Sequence, residues 1–272
     1  MSKSRIIAVA NQKGGVGKTT TTVSLAAYIA ALGKKVLVVD IDPQGNATSG
    51  FGVEKNKLEY SVYDVLVGDS DAGSTVVTTT VPNLGILPSH IKMAGVEVEM
   101  VSMDKREYIL KTVLAPMRNH FDYIFIDCPP SLGLLTVNAL TAADSVMIPI
   151  PGEFYALEGL GQLMNTIKLT KKILNQALDV EGVVFTMFDN RSNLATSVAD
   201  EVVKYFGKKV FNTKIPRNIR LGEAPSYGLP IMQFDPKSTG GLAYYALALE
   251  FLSRNGDKFV PIANLNSLKV KF

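Results

Sequence analysis

Short β-branched runs alternate with segments of helical period along the whole chain. Strands are predicted at Arg5–Ala10, Lys35–Asp40, Gly85–Pro88, Tyr123–Asp127, Ser145–Ile150, Glu181–Phe188 and Lys209–Ile215. Helices are predicted at Thr19–Leu32, Lys105–Asn119, Leu132–Ala142, Leu157–Gln176, Leu194–Phe206 and Gly241–Ser253. The strand runs are continuously apolar, as parallel strands buried on both faces should be. This repetition predicts an α/β fold, a doubly wound, mostly parallel sheet with helices on both faces and right-handed crossovers. Ligands of such sheets bind beyond the carboxyl ends of the strands, so the residues after each strand carry the candidate chemistry. Asn56–Val81, rich in Asp, Gly, Ser and Thr, reads as a surface excursion with one short helix near Val62–Leu66.

A hydrophobic fraction of 47% and a charged fraction of 19% over 272 residues are enough for the core of one large domain. Neither an internal repeat nor a low-complexity linker divides the chain. Its apolar stretches are too short or too interrupted to span a bilayer, and no signal peptide opens it. The single cysteine, Cys128, excludes a disulfide framework and suits a reducing cytoplasm. His90 and His120 lack metal-ligand spacing. The net charge of +3 is uneven: from Lys168 to Arg220, ten Lys/Arg face five Asp/Glu, giving +5 there and −2 elsewhere. A basic segment on a nearly neutral body is a candidate footprint for a polyanion, although solvated helix faces share that composition.

The strongest chemistry follows the first strand, in Asn11–Thr20, NQKGGVGKTT. Strand, glycine-rich turn and helix together make a phosphate site. Gly14, Gly15 and Gly17 let backbone N–H groups converge on phosphate oxygens, and the following helix aims its positive end at them. Lys18 supplies a cation for β/γ-phosphates and the Thr19 hydroxyl a ligand for Mg²⁺. Asn11, Lys13, Gly14, Gly15, Val16, Gly17, Lys18, Thr19 and Thr20 are accordingly assigned to cofactor binding. The strict loop pattern needs Gly at position 12, where Gln12 stands; a second lysine, Lys13, opens the loop instead.

Asp40 and Asp42 close the second strand, two residues apart and thus on the same side. Asp42 is expected to orient an attacking water and Asp40 to hold the Mg²⁺ water shell, with Pro43–Asn46 as a switch sensing the γ-phosphate. Alone, an Asp before Pro is an ordinary turn former; beside this loop it reads as catalytic. Asp127 ends the apolar strand Tyr123–Asp127 and is the expected Mg²⁺ residue, reached through water, with Pro129-Pro130-Ser131 as a second switch. Cys128 reads as a small buried hydrophobe.

The deviant loop, together with VVDIDPQGNATSG, FDYIFIDCPPSLG, EFYALEGL and IPRNIRLGEAPSYGLPI, resembles ParA/Soj-type partition ATPases of the ParA/MinD branch of P-loop ATPases. These segments run from residue 11 to 231, most of the chain, and match the short form without an amino-terminal DNA-binding domain. The resemblance implies ATP and Mg²⁺ as cofactors and a homodimer in the ATP state. It also implies non-specific binding to double-stranded DNA, and slow ATP hydrolysis stimulated by a ParB-type centromere-binding partner. Lys13 would then reach the partner subunit's nucleotide, making Lys13, Lys18 and Asp42 the catalytic set and Thr19, Asp40, Asp42 and Asp127 the metal set. Family adenine contacts fall on Met187, Asp189, Pro216 and Asn218, and family DNA contacts on Arg191 and Arg220, both within the basic segment. A cytoplasmic, nucleoid-associated protein is expected, with residues 1–255 as one P-loop ATPase domain and 256–272 as a tail, loosely ordered or partner-dependent.

Two rivals share this fold. A MinD-like membrane-cycling ATPase would attach through a carboxy-terminal amphipathic helix. Leu265, Leu268 and Phe272 do fall at helical spacing, but the segment is short, with only Lys269 and Lys271 after Pro261, so membrane attachment is not expected. An ATP-dependent small-molecule enzyme, such as the amidoligase relatives, would need its own acid/base constellation, and none is evident. The iron–sulfur branch needs cysteine pairs that one Cys per chain does not provide.

Overall fold

The computed structural model describes residues 4–153 and 156–270. Its strands are β1 (Arg5–Val9), β2 (Val36–Asp40), β3 (Val77–Thr78), β4 (Leu84–Leu87), β5 (Tyr123–Asp127), β6 (Ser145–Pro151) and β7 (Asp179–Thr186). They form one sheet in the order β3-β4-β2-β5-β1-β6-β7. Neighbours pair in parallel except β3, an edge strand antiparallel to β4. The helices are α1 (Lys18–Ala31), α2 (Asn46–Gly50), α3 (Val62–Val67), α4 (Ala72–Thr75), α5 (Met93–Met100) and α6 (Ile109–Leu114). There follow α7 (Leu134–Ala142), α8 (Ala156–Ile173), α9 (Asn193–Phe206), α10 (Ile219–Glu223), α11 (Ile231–Phe234) and α12 (Thr239–Arg254).

Successive residues of each strand enter opposite cores. Ile6, Ala8, Leu37, Val39, Ile124 and Ile126 pack under α3 and α5 to α9. Ile7, Val9, Val36, Val38, Tyr123 and Phe125 pack under α1, α11 and α12. Burial on both faces is why the strands lack polar alternation.

Four segments depart from the sequence expectation. Lys209–Ile215 runs beside β7 without becoming a regular strand: an isolated bridge joins Val183 to Val210, and the Phe211 and Ile215 amides donate to the Val183 and Phe185 carbonyls at 2.9 and 2.8 Å. Its middle is held by a side chain: the Glu250 carboxylate accepts the Asn212 and Thr213 amides at 2.8 and 2.9 Å. The predicted helix Lys105–Asn119 is broken, because Pro116 has no amide hydrogen; α6 stops at Leu114 and a 3₁₀ turn follows at Pro116–Asn119. The excursion Asn56–Val81 contains α3, closed by a Ser61/Asp64 capping box, and also α4 and β3. Helix α5 lies where Val96-Glu97-Val98-Glu99 alternates like a strand; Met93, Val96 and Met100 reach the core at helical spacing and Val98 stays in solvent.

The tail runs along the body through residue 270. Asp257 accepts from Lys34 Nζ at 2.5 Å and from the Tyr123 hydroxyl. Phe259, Ile262, Leu265 and Leu268 rest against the α12 face, and the Val270 amide donates to the Gln233 carbonyl at 3.0 Å. This differs from the loose tail expected, because its apolar residues find a core to cover. Phe272, and Phe154 and Tyr155 of EFYALEGL, lie outside the described residues. Among the described residues no helix is long and apolar enough to cross a membrane.

Candidate functional site

β1 lies between β5 and β6, and the crossovers from β1 and β5 leave through α1 and α7 to opposite faces. A crevice must open above that divergence, and the glycine loop fills its floor. Gly15 and Gly17 have φ of +71° and +86°, a region costly for any residue with a Cβ. Gly17 is also the N-cap of α1 and supplies no side-chain cap, so the first amides of that helix are left to a ligand. Lys18 Nζ folds back onto the Lys13 carbonyl at 3.1 Å, and burial pulls its pKa down against the opposing charge of Asp127.

Loop residues divide into walls and braces. Gly14, Gly15, Gly17, Lys18, Thr19 and Thr20 line a cleft of about 610 Å³. Asn11 and Val16, expected at the ligand, stand behind it. The Asn11 amide donates to the Pro149 carbonyl at 2.8 Å and its Oδ1 accepts the Lys13 amide at 3.0 Å. The Val16 carbonyl accepts the Thr186 hydroxyl at 2.8 Å, which ties the loop to the end of β7. The Lys13 side chain points outward and pairs with Glu153 at 2.7 Å, both partly in solvent.

Three carboxylates sit at the ends of β2 and β5, each buried to within 5% of full. Asp127 accepts Thr19 Oγ1 at 2.7 Å and Thr22 Oγ1 at 2.9 Å. Burial, then the Asp40 charge, pushes its carboxyl up to about 8. Asp40 is pushed up to about 6, again by burial first. Its Oδ2 takes both the amide and the hydroxyl of Thr48, at 2.8 and 2.7 Å, and its Oδ1 faces the Asp42 amide at 3.2 Å. Asp40 therefore anchors the turn from Asp42 to Thr48 from beneath, and like Asp127 it stands behind the side chains that line the cleft. Asp42 does line the cleft, beside Gln44 and Pro130. Its Oδ1 accepts the Gln44 amide at 2.9 Å.

The donor set suits a hard, oxygen-seeking cation: the Thr19 hydroxyl with Asp127 behind it and Asp42 across the cleft. Among the described residues no cluster of three or more acidic, His or Cys groups holds a metal by itself. Such a set fits Mg²⁺ completed by phosphate oxygens and water. Repulsion among buried carboxylates is what a divalent cation there would relieve.

The far end of the cleft is made by Met187, Pro216, Arg217 and Asn218. Met187 adopts φ +48°, bending the chain out of β7 so that Phe188 bridges to Pro216. Asn218 donates to Thr239 Oγ1 at 2.7 Å, while its buried Oδ1 has no partner among the described residues. Asp189, expected beside the base, lies outside the cleft and binds Arg191 through both carboxylate oxygens, at 3.0 and 2.9 Å. That bidentate pair holds its carboxyl down at about 2. Arg220 is likewise occupied, by Asp235 at 2.9 Å and Glu223 at 2.7 Å, with Phe234 under its guanidinium. The residues that sequence reasoning missed are Thr22, Thr48, Lys55, Ser89 and Arg217. Only Thr22 carried a signal, one helical turn after Thr19.

A protein-family model described as an AAA domain matches residues 4–180. The chain is 57% identical over 252 residues to the sporulation initiation inhibitor protein Soj of Bacillus subtilis, covering 93% of this chain and 99% of that one. It is 49% identical over 254 residues to the chromosome partitioning protein ParA of Myxococcus xanthus, covering 93% and 90%. Among solved structures, cobyrinic acid a,c-diamide synthase of Mycobacterium smegmatis, with bound ADP and magnesium, superposes with a TM-score of 0.81. That match is 37% identical and covers 96% of this chain and 100% of the other. Since identity near one half extends over nearly the full length of both relatives, the chain belongs to the Soj/ParA family of chromosome-partitioning ATPases.

Proposed function

We propose that this protein binds ATP with Mg²⁺, dimerises in that state, and then binds double-stranded DNA without sequence preference. A ParB-type partner stimulates hydrolysis and so releases the dimer from its track. The observation that carries this reading is the position of Lys13. It opens the phosphate loop yet turns its ammonium outward, to an exposed ion pair with Glu153, where a second copy could receive it.

In this reading the α1 amides and Lys18 neutralise the phosphates, and Asp42 orients the attacking water across the cleft. Thr19, with Asp127 behind it, would hold Mg²⁺, which would supply charge neutralisation for the phosphates. Lys13 from the second subunit adds a cation in trans, which makes dimerisation depend on the terminal phosphate. Asn218, half-buried at the far end of the cleft, keeps an Oδ1 without a partner among the described residues, which an exocyclic amine would satisfy, and this favours adenine. Arg191 and Arg220, which are exposed, exchange their carboxylates for DNA phosphates, so binding falls steeply with salt.

DNA binding by wild type, Lys13→Ala and Arg220→Ala, with ATP, ADP and no nucleotide, tests the reading. Salt-sensitive binding with ATP alone, lost in both variants, is expected. Equal binding with ADP overturns it.

One observation favours a second reading, the 37% identity to a diamide synthase. An ATP turnover that depends on an added amide donor would support that enzyme class. The membrane-cycling alternative is tested by vesicle co-sedimentation with and without residues 257–272; the tail's contacts with the body predict no binding in either case.

A further inference from the structure

The last residue before the loop to α5 closes a ring of hydrogen bonds around the switch. Ser89 follows β4, the strand beside β2, and is fully buried. Its hydroxyl donates to the Asp42 carbonyl at 2.7 Å and its amide to Thr48 Oγ1 at 2.9 Å. Thr48 Oγ1 donates to Asp40 at 2.7 Å, and the Asp42 amide returns to Asp40 at 3.2 Å. Asp40, Thr48, Ser89 and Asp42 thus form a closed circuit. The carboxylate of Asp42 is the group that leaves it, toward the cleft.

We propose that Ser89 is a positioning residue for hydrolysis, acting through the backbone of Asp42. This rests on the reading of Asp42 as the residue that orients water. Among the described residues the Asp42 carbonyl otherwise accepts only the Gly45 amide, at 2.9 Å, a bond within the same turn that moves with it. Ser89 instead ties the turn to a neighbouring strand, and so to the sheet. Lys55 grips the next carbonyls, Gln44 at 2.8 Å and Gly45 at 3.3 Å, from a more exposed position. The carboxylate of Asp42 rotates on a carbon whose own position the Ser89 bond sets. A misplacement of a fraction of an ångström there affects the water, not the phosphates that bind on the loop and α1.

The test is steady-state ATP hydrolysis by Ser89→Ala, with nucleotide affinity from a fluorescent ATP analogue and amide exchange across residues 42–46. One buried hydrogen bond corresponds to about a tenfold factor in rate. The expected result is kcat lower by about tenfold, KM and analogue affinity within about twofold of wild type, and faster exchange at Gln44 and Gly45. Unchanged kcat, or a raised KM at unchanged kcat, overturns the proposal. If Ser89→Ala does not melt cooperatively, Ser89→Cys is measured instead, with the same criteria. Asp42→Ala separates the two levels: full turnover in that variant removes the role of Asp42 itself, whereas a dead Asp42→Ala beside a fully active Ser89→Ala removes only Ser89.

Discussion

Replacing Glu153 by Gln should tighten the ATP-dependent dimer. Lys13 can reach a second subunit only by leaving Glu153, from which it stands 2.7 Å. The lysine and glutamate side chains keep 38% and 50% of their exposure, so water and salt screen the pair. Exposed ion pairs of this kind are worth about 0.2–1 kcal/mol. A symmetric sandwich must break two of them, about 0.4–2 kcal/mol in all, which converts to about 2- to 30-fold in the dimer dissociation constant. The assay is sedimentation equilibrium with a non-hydrolysable ATP analogue, compared with ADP. Glu153→Gln should dimerise at lower concentration with the analogue and stay monomeric with ADP. High salt should shrink the difference between Glu153→Gln and wild type, because salt already weakens the pair in the latter. Lys13→Ala should not dimerise in either background. An unchanged or weaker dimer in Glu153→Gln refutes the idea that this pair holds Lys13 back.

Glu223→Gln combined with Asp235→Asn frees Arg220 of both carboxylates and should raise DNA affinity at fixed salt, measured by fluorescence anisotropy; equal affinity argues against Arg220 as a phosphate contact. Arg220→Ala should lower the slope of log affinity against log salt by about 1. Burial raises the Asp127 and Asp40 carboxyls to about 8 and about 6, above their unfolded value near 4, so the folded state binds more protons. That contribution is full below about pH 4 and is lost as pH rises through about 6 and 8, so the Tm without nucleotide should fall across that window in calorimetry. Mg²⁺ with ATP should flatten the fall, and a Tm that rises from pH 6 to about 8 would contradict it. Gly17→Ala forces a Cβ into a φ of +86° at about 1 kcal/mol, lowering Tm by about 2–4 °C and abolishing ATP-analogue binding. Retained binding would mean the loop does not need that conformation.

What the sequence made legible is what local chemistry alone determines. Glycines at 15 and 17 need only their own φ, and an apolar strand ending in Asp127 needs only its period. What the string does not show is which partner takes each polar side chain. Nothing in the string says that one oxygen of Asp40 is taken by Thr48, eight residues on. Asn11 belongs to the loop by position but is consumed by Pro149, 138 residues away. Asp189 is drawn off by a neighbour two residues along, and nothing in the string says that Arg191 turns back. The α5 helix was invisible for another reason: its alternating Val and Glu fit a strand, and only the buried trio Met93, Val96 and Met100 selects the helix.

Those long-range contacts converge on one short segment. Ser89 holds the switch at Asp42, while Glu97, eight residues later on α5, accepts the Leu135 amide at 2.9 Å. Leu135 lies in the first turn of α7, just after the second switch, and that helix has no side-chain cap of its own. A Cβ at Gly133 would come within 2.6 Å of the Glu97 carboxylate, so the two lie in close contact. Residues 89–97 thus touch both the turn at Asp42 and the first turn of α7. A shift of either loop strains the hydrogen bond at one end of the segment, and α5, packed by Met93, Val96 and Met100, resists bending between them. The turn at Asp42 and the start of α7 are for that reason braced by one segment, through Ser89 at one end and Glu97 at the other.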